Sequence, residues 1–264
     1  MSNRYVLPVL NTVGFLGVVA INGLATALPI NGTTTGAVSD KYENLFAPAG
    51  LTFAIWGVIY GLLAVFVVYQ WRDVLRRGDT AGFSGRMGIW FFVSCLANMG
   101  WIFAWHHEIM PLTVVLMLLL LGCLLTIYLR LGVGRPGVSR GEAFFVHVPI
   151  SVYLGWITVA TIANVTVLLV SIGWDAFGLG EQFWAVTVIA TGIAIALAVL
   201  VTRGDVYFAL VVDWALVGIV LKRLAVTAVQ DQAVLIAAVV GVVLVSAATV
   251  FRLGRKQAYP AVLQ

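Results

Sequence analysis

Ile109-Met-Pro-Leu-Thr-Val-Val-Leu-Met-Leu-Leu-Leu-Leu-Gly-Cys-Leu-Leu-Thr-Ile-Tyr-Leu-Arg-Leu131 is the stretch that decides the fold. Its one charged residue is Arg130, at the very end. Wound as an α-helix at about 1.5 Å per residue, the run bridges the roughly 30 Å of hydrocarbon in a bilayer. Comparable runs cover, to within a few residues, Tyr5–Ile30, Pro48–Trp71, Met87–His106, Phe144–Val170, Phe183–Thr202, Val206–Leu221 and Gln232–Phe251. Of 264 residues, 62% are apolar and only 10% charged, too few polar groups to clothe a water-soluble globule. Strand-like alternation is absent, which excludes a β-barrel. The expected fold is therefore all-α, a polytopic transmembrane helical bundle of eight spans.

Charge sets the orientation. With Met1 on the inside, the inner segments carry Arg4, Arg72, Arg76, Arg77, Arg86, Arg130, Arg135, Arg140, Arg203, Arg252, Arg255 and Lys256, and the outer ones only Lys41, Lys222 and Arg223. Short basic loops resist translocation, so both termini are expected on the cytoplasmic side of the cell's inner or plasma membrane. Scattered among connections, these residues form no patch for nucleic acid. A rival reading takes Arg4, the apolar stretch after it and Ala25-Thr26-Ala27 as a signal peptide, but the run is longer than a usual signal core. Cys95 and Cys123 lie inside apolar runs, away from any disulfide or metal-cluster spacing. The outer loop Asn31–Asp40 is rich in turn formers and reads either as a solvated connector or as a cover for a pocket mouth.

Three runs carry aromatic stripes at helical spacing. Phe53, Trp56 and Tyr60 share one face of the second run, Asn98, Trp101 and Trp105 one face of the third, and Tyr153, Trp156, Ala160 and Asn164 one face of the fifth. An amide within hydrocarbon requires a hydrogen bond, so Asn98 and Asn164 are expected to face the bundle interior or a ligand. Two readings fit: a pocket for a flat, greasy molecule, or interfacial anchors with helix-tying amides.

The residues also carry a resemblance. Pro48-Ala-Gly50-Leu-Thr-Phe53-Ala-Ile-Trp56-Gly-Val-Ile-Tyr60, Asn98-Met-Gly-Trp101-Ile-Phe-Ala-Trp105, and Pro149 with Tyr153, Trp156, Ala160, Thr161 and Asn164 resemble, in order, three motifs of the tryptophan-rich sensory protein/translocator protein (TspO/MBR) family. Ala49 stands where a second Pro is usual, Phe53 and Trp56 are one residue closer than in typical members, and Pro149 is three residues removed from Tyr153. The resemblance covers about the first 170 residues. It implies a five-helix membrane unit over 1–171, with three further transmembrane helices and a short cytoplasmic tail over 172–264. It also implies a receptor or carrier for a porphyrin, another tetrapyrrole or a sterol-like lipid, with Trp56, Tyr60, Asn98, Trp101, Trp156 and Ala160 lining the pocket. A haem-like ligand is the one cofactor it suggests, and porphyrin breakdown the one enzymatic activity. A homodimer is compatible with the reading.

Asp213 falls near the middle of the seventh run, where a carboxylate costs about 2.5–3.5 kcal/mol, so it must face protein or water. It reads equally as a proton or ion site, which would suit an ion-coupled small-solute transporter, and as a structural hydrogen bonder. Adjacent His106 and His107 point about 100° apart on a helix and so rarely share a metal ion, and no metal is expected there. His147 reads as a helix-packing hydrogen bonder, and Gly57 and Gly61 as a close helix contact. No nucleophile with its base, and no phosphate loop, is legible.

Overall fold

The computed structural model describes residues 3–28, 30–77, 82–226 and 231–258. Two residues used for orientation, Arg77 and Lys256, have side chains outside that description. The chain folds into helices α1 (Val6–Ala27), α2 (Thr35–Lys41), α3 (Ile55–Arg77), α4 (Phe83–Met87), α5 (Trp90–His106), α6 (Met110–Leu131), α7 (Arg140–Glu142), α8 (Val148–Ser171), α9 (Gly180–Arg203), α10 (Val206–Leu224) and α11 (Gln232–Ala258), with no strand among the described residues. It is a polytopic helical membrane protein. Long helices occupy all of the expected apolar runs, and α1, α3, α6, α8, α9 and α11 are long and apolar enough to cross a bilayer. Length and composition alone do not add α5, which has 17 residues, or α10, whose 18-residue windows all hold Asp213, Lys222 and Arg223.

Local chemistry sets the helix ends. Pro111 opens α6, where its missing N–H costs nothing, and Gly132 closes it in the left-handed conformation (φ 68°). Asp205 caps α10, accepting from the Tyr207 and Phe208 amides at 3.1 and 3.2 Å. The third apolar run is broken at Gly88 (φ 63°), which splits α4 from α5. The fifth begins with a π-helical stretch, Ala143–His147, that leads into α8. The loop expected as irregular holds α2, capped by the Thr34 hydroxyl.

The chain divides into two compact units, Met1–Asn44 with Ala54–Trp174, and Leu45–Phe53 with Asp175–Gln264. In the first, α1 packs on α3 and α5, α5 on α6, α6 on α8, and α8 on α3, closing a ring of five helices. One end of that ring is tied by the buried Asn11 amide donating to Gln70 (2.7 Å), by Arg86 paired with Glu142, and by Phe66 against Phe83 and Phe91. His147 Nε2 lies 3.7 Å from the same Glu142 carboxylate. Gly57 and Gly61 are exposed, with no atom within 4 Å of an added Cβ, so the close contact expected of them is absent among the described residues.

In the second unit α9, α10 and α11 pack on one another. The segment Leu45–Phe53 lies along α10 as a strap. Its Ala49 amide donates to the Gly218 carbonyl (2.9 Å), and the Trp214 indole donates to the Thr52 carbonyl (2.9 Å).

Candidate functional site

The ring of five helices turns aromatic faces of α3 and α8 toward each other. Trp56 stacks on Tyr60 one turn along α3, with centroids 5.5 Å apart and planes at 24°. From α8, Tyr153 and Trp156 both meet Trp56 edge-on, each at 6.2 Å. These offset and edge geometries match the positive rim of one ring to the negative face of the next.

An amide chain crosses the same interior. Asn22 of α1 donates to Asn98 Oδ1 of α5 (2.9 Å), and Asn98 Nδ2 donates to the Tyr153 hydroxyl of α8 (3.2 Å). Asn98 is thereby satisfied, as an amide at membrane depth must be. Its partner Asn22 is a residue the sequence reading did not single out, although an amide inside the first apolar run was the available signal.

Three polar atoms on α3, α5 and α8 carry no such bond. The Tyr60 hydroxyl, Trp101 Nε1 and Asn164 Oδ1 are buried without a hydrogen-bond partner. Each orphaned group costs about 1–3 kcal/mol, a penalty that a ligand with matching polar atoms relieves. Ala160 sits half-buried on α8, one turn from Trp156 and one from Asn164.

The His106 end of α5 is covered by the connection between α1 and α3. Trp101 and Trp105 stack at 5.0 Å, and Trp105 Nε1 donates to the Thr35 carbonyl of α2 (3.0 Å). Val38 of α2 packs with Trp105, Met110 and Val167, flanked by Tyr42, Trp101 and Leu168. Buried His106 donates from Nδ1 to the Ile102 carbonyl (2.7 Å), which leaves Nε2 facing the Thr35 hydroxyl at 3.4 Å. Glu108, in the left-handed region at φ 54°, accepts from Lys41 and from the Tyr42 hydroxyl, both at 2.6 Å. The Lys41 hydrogen bond, then that of Tyr42, holds the Glu108 carboxyl below its usual range, and Glu108 in turn raises Lys41 and Tyr42. This loop, which reads as a connector or as a pocket cover, thus contains a helix packed on α5.

Of the residues expected to line the site, the structure brings together Trp56, Tyr60, Asn98, Tyr153 and Trp156, and joins Trp101 and Trp105 under α2. Phe53 lies in the strap of the other unit. Asp213 is far along the chain on α10 and takes a hydrogen bond from Ser246 (2.6 Å).

The first unit is thus an intramembrane ring of helices around a neutral aromatic and amide interior. The chain belongs to the family of TSPO-like proteins, whose model matches residues 8–251. That match runs through α9, α10 and most of α11, so the family pattern takes in the C-terminal helices that the motif resemblance left outside. No curated protein and no solved structure matches the chain.

Proposed function

We propose that this protein is an integral membrane receptor or carrier for a flat hydrophobic molecule, a tetrapyrrole before a sterol-like lipid, held among Trp56, Tyr60, Trp101, Tyr153 and Trp156. The observation that carries this reading is the convergence of Trp56, Tyr60, Tyr153 and Trp156 with the Tyr60 hydroxyl buried and unpartnered, to which Trp101 on α5 and Asn164 on α8 each add a further buried polar atom without a partner. Ring faces supply stacking area, and scarce donors and acceptors fix orientation. The cage residues include no acid or base, which suits a neutral macrocycle face better than a charged solute. Asn98 orients Tyr153, Ala160 leaves room, and α2 covers the His106 end of α5. Both termini face the cytoplasm on this reading, because basic residues concentrate in the connections on that side.

Titration with protoporphyrin IX, followed by tryptophan quenching in mild detergent, tests the reading. A saturable signal that is lost when Trp156→Ala and Asn98→Ala are combined supports it. No saturable signal, or one unchanged in that variant, overturns it.

A further inference from the structure

The C-terminal unit holds a second polar constellation, remote in sequence from the cage. Asp213 is 8% exposed on α10, and its Oδ2 accepts from the Ser246 hydroxyl of α11 at 2.6 Å. Its Oδ1 is buried without a partner. One turn beyond Ser246, on the same face of α11, Thr249 is 4% exposed and its hydroxyl is likewise without a partner. That is unusual for this chain. Most of its helical threonines hand their hydroxyl proton to the carbonyl four residues back, as Thr158 does to Leu154 (2.8 Å) and Thr191 to Thr187 (2.9 Å).

A carboxylate in such surroundings needs a compensating charge. Among the described residues, no packed element makes an ion pair with Asp213. Between Glu181 and Arg203, at its two ends, α9 has no titratable residue, α11 has none from Gln232 through Phe251, and the Arg252 guanidinium that follows lies against Gly204 in the α9–α10 connection. The strap Leu45–Phe53 has no titratable residue. On α10 itself Asp205, Tyr207, Lys222 and Arg223 lie six or more residues away, and Arg223 is engaged with Asp231. What the seam does supply is oxygen: one carboxylate and two hydroxyls, the donor set that hard cations favour. A single negative charge matches a single positive one, whereas a divalent ion would leave net charge in an apolar setting.

We propose that Asp213, Ser246 and Thr249 form a binding site for a small monovalent cation, Na⁺ or a proton, in the seam between α10 and α11. Carboxylate Oδ1 and the Thr249 hydroxyl contribute the unpaired oxygens, and Ser246 holds the carboxylate in orientation. Trp214, the next residue, is a built-in optical reporter.

The test uses the full chain in mild detergent without any porphyrin, so its failure is distinct from failure of the cage reading. Na⁺ is titrated against choline at constant ionic strength and several pH values, reading tryptophan fluorescence and the carboxyl infrared band. A saturable Na⁺ response whose midpoint rises as pH falls, lost in Asp213→Asn and weakened several-fold in Thr249→Val, supports the site with Na⁺ as its ion. A carboxyl band that ignores Na⁺ but titrates with pH, and vanishes in Asp213→Asn, supports it with the proton. Asn keeps an acceptor for Ser246, and Thr249→Val preserves shape should Asp213→Asn fail to fold. A fluorescence and band insensitive to both Na⁺ and pH, or responses identical in Thr249→Val and the parent, overturn the proposal.

Discussion

The Trp156 indole meets the Trp56 indole edge to face, centroids 6.2 Å apart and planes at 85°. Trp156 is 3% exposed, so its replacement by Ala removes both that contact and a packed ring. Trp156→Ala is expected to cost about 3–5 kcal/mol. Trp156→Phe retains an aromatic edge against Trp56 and should cost only about 1 kcal/mol, the scale of one ring pair. Equilibrium unfolding in mixed micelles measures both, and porphyrin quenching should survive in the Phe variant while failing in the Ala variant.

The ties that Lys41 and Tyr42 make to Glu108 in the α5–α6 turn depend on pH. The Glu108 carboxyl is lowered from 4.5 by the Lys41 ammonium and then by the Tyr42 hydroxyl, so its contribution is complete above 4.5 and is lost as pH falls through the lowered value. Lys41 and Tyr42 are raised from 10.5 and 10.0, so their contributions are complete below those values and are lost on further rise. These ties are therefore fully made between pH 4.5 and 10.0 and loosen on either side. Hydrogen exchange of α2 should accelerate in acid in the parent. In Glu108→Gln it should be fast already at neutral pH and show no further acid dependence.

The long helices were legible because a run such as Met110–Leu131 admits one economical solution in a bilayer, with every backbone group satisfied internally. Trp56, Tyr153 and Trp156 were legible from spacings of three and four, which place rings on one helical face. α2 was not, because seven residues with one large apolar side chain, Val38, carry no periodic apolar signal; its helix rests on the Thr34 cap and on Val38 against Trp105. Nor was the strap. Phe53 shares a stripe with Trp56 on an ideal helix, yet α3 begins only at Ile55, and the residues before it are drawn to α10 by Trp214 and Gly218. Ser246 looks like an ordinary small polar residue until α10 sets Asp213 against it.

Gly218 permits the strap to dock. A Cβ at this position would lie 2.0 Å from Thr52 Oγ1 and 2.8 Å from Thr52 Cγ2, and the neighbouring Ala49 amide bond to the Gly218 carbonyl would be displaced with it. Gly218→Ala is expected to destabilise by about 1–3 kcal/mol, the usual cost of overpacking. Thr52→Gly removes every atom of the collision. The double variant should recover most of the loss, and a double-mutant cycle on thermal unfolding gives the coupling. Equal losses with and without Thr52→Gly would mean that the contact is not the cause.

Arg223 and Asp231 form an ion pair at 3.0 Å with side chains only 6% and 5% exposed, although sequence placed Arg223 beside Lys222 in an outer connection. Removing one partner leaves the other charge buried and uncompensated, whereas removing both removes the problem. Asp231→Asn is accordingly expected to cost about 3–5 kcal/mol, and Arg223→Met with Asp231→Asn appreciably less. The order of the two losses is the diagnostic, since a pair that merely decorates the surface would show small, additive effects. Unfolding midpoints of the single and double variants, measured in the same micelles, give that order directly.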